Sequence, residues 1–304
     1  MKKLTLTALG LVALAALPLS AANWSDTYIG YQYSNQFRDP GLVGTQVKNR
    51  LELSGVYGWD YGTNFFDVNM LSATKSDPAN NATGQGQPQK GVPGNTEVYV
   101  VYRSNFDLGK IFKTNLGFGP VREVDFTLGF DFDSQDNYFA SNKKFMMAGP
   151  QVGFDVKNGF WNLGVGGCRE ANYNGVVQQE VDFRTTYVIW TAWGKHFDMG
   201  VPAEFKGWLN YIGAKGPDGF GVDTKPETVG DMYLMFDISG LFGRKHGAVL
   251  IGPGFEYWNN KFGGVNYSAP AVFTPSTPAH PTGDGPWNNN ERTTALMFAA
   301  EIHF

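Results

Sequence analysis

The stretch VDFTLGFDFD at residues 124–133 decides the fold class of this chain. Apolar Val, Leu and Phe side chains occupy every second position, and Asp, Thr and Gly fill the positions between them. Because side chains alternate between the two faces of a strand, this pattern predicts a β-strand with one apolar and one polar face. In a soluble sheet the apolar face would meet a core, whereas in a membrane barrel it would meet lipid and the polar face would line the lumen.

The same alternation recurs along the chain in runs of about ten residues, separated by polar or Gly-rich breaks. Beyond the N-terminal segment, no stretch of useful length has the period of a helix. The runs number twelve, an even number as in single-chain bacterial barrels. We therefore predict an all-β fold, a transmembrane antiparallel up-and-down β-barrel of about 12 strands. The predicted strands cover residues 26–34, 48–57, 61–71, 95–104, 112–133 (broken at Pro120), 145–156, 160–168, 181–193, 204–213, 228–238, 247–258 and 292–304.

The connections between these runs support the barrel. Every odd-numbered connection is longer than every even-numbered one, as expected for long extracellular loops and short periplasmic turns. Residues 72–94 and 259–291 are rich in Pro, Gly, Ser and Asn with little charge, which predicts solvated loops. The last run ends on Phe304. A terminal aromatic after an alternating strand is typical of the signal that barrel-assembly machinery recognises.

The N-terminal segment predicts export. Lys2 and Lys3 precede an apolar run over residues 4–19 and the small-residue end Ser-Ala-Ala at 20–22. These are the features of a secretory signal peptide, whereas a membrane anchor needs about 20 apolar residues. We predict a signal peptide at residues 1–22 and an outer-membrane β-barrel at residues 23–304. The expected location is the bacterial outer membrane, with outer-membrane lipid around the barrel and the barrel-assembly machinery as a partner during biogenesis.

The composition excludes several classes of function. Of the 304 residues 17% are charged and 15% aromatic, and the net charge is −4. This balance offers no basic surface, so we expect no nucleic-acid partner. Cys168 is the only cysteine, which excludes disulfides and thiolate zinc sites. We expect no cofactor and no metal.

Catalysis is not predicted either. None of the four histidines, His196, His246, His280 and His303, lies on a predicted strand beside a candidate serine at the outer rim, as a Ser-His hydrolase would require. The chain has no G-x-S-x-G, H-E-x-x-H or G-x-G-x-x-G motif. We expect a protein that is not an enzyme and has no catalytic residues.

The polar face of the runs predicts the functional site. Neither lipid nor a dry core tolerates so many ionisable groups, so they must meet water or each other. Twelve strands enclose a space between that of barrels filled by side chains and that of open porins, which predicts a narrow lumen of mixed charge. Inward aromatic side chains could stack on a flat ring while polar groups hydrogen-bond it. The candidate solute-binding residues on this face are Glu52, Phe65, Asp67, Asn69, Arg103, Arg184, Lys206, Asp231 and Glu256.

A second interpretation stays open. If the interior were plugged, its ion pairs would only stabilise the barrel, and the long loops would be the working part. The protein would then be a structural or surface-receptor barrel.

Four segments carry a resemblance to a known family: KNRLE at 48–52, GWDYGTNFFDV at 58–68, LGFGPVRE at 116–123 and FEYWNNKFG at 255–263. In these segments the chain is similar to the Tsx-like family of outer-membrane nucleoside channels, including the relatives called OmpK. The resemblance implies a 12-stranded barrel that passes nucleosides down a gradient, with aromatic and polar lumen residues holding base and ribose.

Carried onto this sequence, the resemblance implies lumen roles for Glu52, Phe65 and Asp67, and further for Arg122 and Glu256. Asp67 stands where related chains can carry an aromatic residue. We therefore expect a passive outer-membrane channel for small solutes, with a nucleoside as the expected small-molecule partner.

Overall fold

The computed structural model describes residues 22–38, 45–73, 95–136, 141–174, 179–264 and 292–304. These residues are almost entirely β-structure, with one short α-helix, α1 (Leu108–Phe112), and 3-10 turns at Ser239–Phe242 and Lys261–Gly263. Among them, no helix is long and apolar enough to cross a membrane. The strands are β1 (Trp24–Phe37), β2 (Gln46–Trp59), β3 (Gly62–Ala73), β4 (Thr96–Asp107), β5 (Val121–Asp136), β6 (Asn142–Phe154), β7 (Gly159–Asn174), β8 (Gln179–Asp182), β9 (Thr186–Asp198), β10 (Pro202–Ile212), β11 (Glu227–Asp237), β12 (Val249–Asn259) and β13 (Thr293–His303).

The strands close into a barrel. Strands that follow each other in sequence pair antiparallel, except β8 and β9, and β1 also pairs with β13, Gly30 lying opposite Glu301. The short strand β8 pairs with residues 171–174 of β7, and β9 pairs with residues 159–168 of the same strand. Because β8 and β9 together occupy one position in the wall, the structure is a closed 12-strand barrel, and the predicted fold is confirmed.

Two predicted strands differ from the structure. The strand predicted at 112–133 begins only at Val121, directly after Pro120, and residues 108–112 form α1 instead. The Asp107 carboxylate accepts a hydrogen bond from the Lys110 amide and so caps this helix, a local interaction that competes with strand pairing. The strand predicted at 181–193 is interrupted at residues 183–185.

The two ends of the barrel differ in their connections. The turn end carries both barrel termini and the turns at 60–61 and 155–158, and the loop end carries the connections at 38–45 and 213–226. Strict alternation of connection lengths is wrong, because the turn-end connection 108–120, which holds α1, is longer than the loop-end connection 137–141. The predicted signal peptide and most of the two predicted long loops fall on residues 1–21, 74–94 and 265–291, which lie outside the described residues.

The outer face of the barrel is apolar. Leu128 is 45% exposed and Leu296 is 61% exposed, although both lie in mid-strand. Aromatic side chains gather at the turn end of this face, including Trp59, Tyr61 and Trp161, as an interfacial girdle would. A closed barrel with an apolar outside leaves no unpaired sheet edge in lipid. The protein is therefore a barrel of the bacterial outer membrane.

Two aromatic residues lie inside the loop end. Phe183, which alternation along the predicted strand 181–193 places on the outer face, is only 6% exposed, and its ring lies 4.8 Å from the Lys215 ammonium. Trp258 shares the inward face of Glu256, and its indole N–H donates to Glu227 at 2.6 Å. The break between β8 and β9 resets the alternation near Phe183, which a period-two pattern cannot anticipate.

Candidate functional site: the polar interior of the barrel

Strand register fixes which side chains meet inside the barrel, because directly paired residues share a face. Glu52 on β2 lies opposite Gly30 on β1 and Asn69 on β3. A Cβ atom on residue 30 would lie 2.8 Å from the Glu52 Oε2 atom. The glycine therefore leaves the space that the Glu52 carboxylate occupies.

Arg50 links strands that are not neighbours in the wall. Its Nη1 atom donates to Asp231 at 3.1 Å and to the Gln32 side-chain oxygen at 3.0 Å, and its Nη2 atom donates to Glu256 at 2.9 Å. The Tyr233 hydroxyl donates to the same Asp231 oxygen at 3.1 Å. One guanidinium thus serves two carboxylates in the fork geometry for which arginine is suited. We call Arg50, Asp231 and Glu256 the Arg50 cluster.

Beside the Arg50 cluster lie two carboxylates that have no cation partner. Glu52 accepts hydrogen bonds from the Tyr28 hydroxyl at 2.8 Å and the Gln32 amide at 2.7 Å, and the Asn69 amide donates to Asp67. The Asp67 and Glu52 carboxyl groups lie within hydrogen-bonding reach of each other, and the charge of Arg50 acts on Asp67. In the described part of the chain, no Lys, Arg or His forms an ion pair with either carboxylate. The Oδ1 atoms of Asp67 and Asn69 are buried without a hydrogen-bond donor.

We call Glu52, Asp67 and Asn69 the acceptor site, because the atoms there that lack a hydrogen-bond partner are all acceptors. The donors already present there, Tyr28 and Gln32, are neutral. A carboxylate in a polar interior that lacks a cation must obtain its counter-charge or its hydrogen bonds from the medium. Water or a solute in the lumen would supply them.

Towards the turn end, the interior charges are compensated. The Lys206 ammonium lies 2.7 Å from Glu301 and 4.8 Å from the centre of the Tyr28 ring. His303 bridges two carboxylates, with its Nε2 atom 3.2 Å from Glu301 and its Nδ1 atom 2.8 Å from Asp26. These contacts tie β1, β10 and β13 together inside the barrel.

The wall opposite the Arg50 cluster carries its own ion pairs. Arg103 on β4 binds Asp131 on β5 with its Nη1 atom 2.5 Å from Oδ1, and the Tyr99 hydroxyl donates to the same carboxylate at 3.2 Å. Lys143 on β6 lies 3.8 Å from Glu170 on β7. Each pair joins neighbouring strands, so these contacts pin the register of the wall.

At the loop end, a lysine from a connection enters the barrel. Lys215 lies 2.8 Å from Glu170 and 3.6 Å from Glu227, and all three side chains are 1% or 2% exposed. We call these three residues the Lys215 cluster. Because Lys215 belongs to the connection 213–226, the cluster fastens this loop to β7 and β11.

Apolar side chains fill part of the interior. Each of two buried clusters joins inward positions on several strands. This packing exceeds the scattered inward aromatics that the sequence predicts. The clusters are Phe37, Tyr233, Met235, Leu250, Ala295, Met297 and Ala299, and Phe145, Met147, Cys168, Val188, Trp190 and Ile212.

The structure brings together half of the predicted binding residues. Asp231 and Glu256 belong to the Arg50 cluster, and Glu52, Asp67 and Asn69 form the acceptor site beside it. Three others face the interior apart from these residues, with Phe65 paired opposite Arg103 and Lys206 bound to Glu301. Their roles in binding stay predictions.

Two predicted binding residues lie on exposed positions at the ends of the barrel. The Arg122 side chain is 44% exposed at the turn end and pairs with Glu123 at 2.6 Å. Arg184 is exposed in the break between β8 and β9. Both positions border an irregularity of the wall, the start of β5 and the break at 183–185, where alternation no longer fixes the face.

Sequence reasoning missed several interior residues, among them Tyr28, Gln32, Tyr233 and Lys215. Tyr28, Gln32 and Tyr233 hold inward positions that the alternation of their strands could have indicated, because they share a face with Gly30 and Asp231. Lys215 has no such signal, since it lies in a connection.

No family model matches this chain, and no curated protein matches it. Among solved structures, the chain is similar to the KdgM porin with 10% identity and a TM-score of 0.40, over 91% of this chain and 99% of that one. It is also similar to the translocator domain of the autotransporter NalP from Neisseria meningitidis, with 8% identity and a TM-score of 0.40, over 100% of this chain and 98% of that one. Outer membrane phospholipase A from Escherichia coli gives 10% identity and a TM-score of 0.41, over 92% of this chain and 97% of that one. Likeness at this level carries no functional inference to this chain.

Proposed function

We propose that the protein is a passive outer-membrane channel for small polar solutes. The observation that carries the proposal is the acceptor site, where buried Asp67 and Asn69 oxygens lack donors and two carboxylates lack a cation. A barrel interior that served only as scaffold would gain stability from pairing these groups with each other. Leaving acceptors open suits a surface that water and solutes pass. The proposal includes no covalent step.

Nucleosides are the solutes that we propose first. Ribose hydroxyls and base amino groups are hydrogen-bond donors, which the acceptor site lacks. Trp208 supports stacking of the base, because it holds an inward position opposite Asp231 and remains 37% exposed. The resemblance of residues 58–68 to the Tsx-like channels points to the same solutes.

Single-channel conductance of the refolded protein in a planar bilayer tests this proposal. With adenosine or uridine in the bath, we expect a small conductance that the nucleoside blocks and a sugar of similar size does not. The Asp67→Asn variant should weaken the block, whereas Glu180→Gln should leave it unchanged because the Glu180 side chain is 61% exposed outside the lumen. If the bilayer shows no conductance, the protein is not a channel. If it conducts but nucleosides do not block the current, nucleosides are not its solutes.

A second candidate function is favoured by the two apolar clusters inside the barrel. If these clusters and the Lys215 cluster close the lumen, the protein is a structural or surface-receptor barrel whose loops bind partners. It would then show no solute flux, and deleting residues 74–94 would abolish partner binding without changing the barrel. Flux through the intact protein would exclude this candidate.

A further inference from the structure

We infer that the acceptor site binds a cationic amine, so that the lumen admits neutral and cationic solutes and rejects anionic ones. This inference deepens the proposed channel function, on which its flux consequence rests, by giving the charge of the solute. Binding of the amine itself can be measured without flux.

The first step is the imbalance of charge at Glu52 and Asp67. Glu52 is 8% exposed, and its hydrogen-bond partners Tyr28 and Gln32 are neutral. The nearest guanidinium, that of Arg50, is already held between Asp231 and Glu256. The two carboxyl groups lie within hydrogen-bonding reach of each other, so they either share a proton or hold a cation, and a bound cation would take the place of that proton.

The second step is independent of charge and concerns Asn69. This side chain is neutral and 8% exposed, and its amide group donates to Asp67 while its carbonyl oxygen has no donor. The Asp67 Oδ1 atom is open in the same way. Two buried acceptors beside two carboxyl groups match a ligand that carries both a positive charge and N–H donors, which describes a protonated amine.

A metal ion fits this site less well than an amine. Calcium takes about six to eight oxygen ligands, and magnesium demands close octahedral geometry. Among the described residues, the only group of three acidic, His or Cys ligand atoms within 4.8 Å of one another is Asp107, Glu123 and Asp125, near the turn end. The acceptor site offers two carboxyl groups and one amide, which is fewer oxygen ligands than calcium takes.

The rest of the interior also has carboxylates without an ion-pair partner. On the inward positions of the described strands, each Lys and Arg forms an ion pair with a carboxylate: Lys48, Arg50, Arg103, Lys143 and Lys206. By contrast, Glu52, Asp67, Asp125 and Asp133 form none with any described Lys, Arg or His. Uncompensated charge of one sign in a low-dielectric passage concentrates ions of the opposite sign. The lumen should therefore prefer cations throughout, with the acceptor site as its binding point.

Equilibrium dialysis of radiolabelled methylammonium against the refolded protein in detergent tests the site directly. We expect saturable binding at neutral pH, and at least about tenfold weaker binding of tetramethylammonium, which has the charge but no N–H donor. Asp67→Asn should lower methylammonium affinity about tenfold or more, and the charge-matched control Glu180→Gln should not. The heat-modified gel migration of each variant reports whether the barrel has folded.

The outcomes separate the site from the channel. If methylammonium does not bind, or binds no better than tetramethylammonium, the site is refuted, and the two carboxylates are explained by a shared proton. This comparison uses only the wild-type protein, so it decides the matter even if Asp67→Asn does not fold.

The reversal potential in a methylammonium chloride gradient then tests the flux consequence. A permeability to methylammonium at least about tenfold above that to chloride is expected, and equal or anion-selective permeability would overturn the preference for cations. Binding in a barrel that conducts nothing would uphold the site and refute the proposed function.

Discussion

The acceptor site and the Lys215 cluster are both built from buried carboxylates on inward strand positions, yet they differ in their counter-charge. In the Lys215 cluster, one ammonium lies 2.8 Å and 3.6 Å from two carboxylates that are almost fully buried. In the acceptor site, two carboxylates adjoin each other and only neutral donors reach them. Burial alone therefore does not distinguish a structural polar group from one that is open to a solute. The presence of a fixed cation does.

The largest expected effect is on the Lys215 cluster. Lys215→Met leaves Glu170 and Glu227 buried without a counter-ion, and breaking a buried pair in this way costs about 3–5 kcal/mol. We expect a loss of that size in the free energy of unfolding, measured by urea denaturation of the refolded barrel in lipid vesicles. The control Lys144→Met removes a lysine that is 54% exposed and 3.9 Å from Glu180, and should cost below about 1 kcal/mol. Equal stabilities of the two variants would show that Lys215 is not structural.

A substitution in the Arg50 cluster should lower the free energy of unfolding by less than one in the Lys215 cluster and by more than one in the acceptor site. Arg50→Gln removes charge-assisted hydrogen bonds to Asp231 and Glu256, each worth about 1.5–3 kcal/mol. Because the Arg50 side chain is 11% exposed, against 2% for Lys215, and the glutamine amide can keep one of the two hydrogen bonds, we expect a smaller loss in the same urea measurement, of about 1.5–3 kcal/mol. The variant should also lower chloride permeability further, since the interior loses a positive charge. A rise in chloride permeability would contradict this assignment of charge.

Removing a charge from the acceptor site should have the opposite effect on chloride permeability and little effect on stability. Glu52→Gln removes a charge that has no cation partner and keeps one acceptor for Tyr28 or Gln32. Unfolding by urea should therefore show a change within about 1 kcal/mol or a small gain in stability, while chloride permeability in a bilayer rises. A loss above about 3 kcal/mol would show that Glu52 is a structural group like Glu170.

The smallest effect is expected at the two exposed arginines among the predicted site residues, Arg184 from the strand pattern and Arg122 from the family resemblance. Arg122→Gln breaks an ion pair whose side chains are 44% and 28% exposed, and should cost less than about 1 kcal/mol. Arg184→Gln changes an exposed side chain and should leave nucleoside block and methylammonium binding unchanged. Loss of block in either variant, recorded in the same bilayer, would place that arginine on the solute path.

These regions also show how far sequence reasoning reaches. Asp67 and Asn69 were predictable because they lie two residues apart in an uninterrupted strand, where alternation fixes their common face. Alternation does not fix the face of Arg184, because the break at 183–185 ends it, and α1 was missed because a single capping carboxylate, Asp107, decides it. Lys215 could not be predicted as an interior residue, because it lies in a connection, where no strand periodicity indicates which way a side chain faces.

The alternating strands, their even number and the polar inner face follow from the amino-acid sequence alone, because each is a local consequence of period-two patterning repeated along the chain. Which charges meet depends on how the barrel closes. Arg50 binds Asp231 and Glu256, which are 181 and 206 residues distant in the chain, after β1 and β13 close the barrel between them. Barrel closure and strand register set these ion pairs. They place no described Lys, Arg or His in an ion pair with Glu52 or Asp67. A period-two pattern specifies the face on which a side chain lies, but it carries no information about what lies across the lumen.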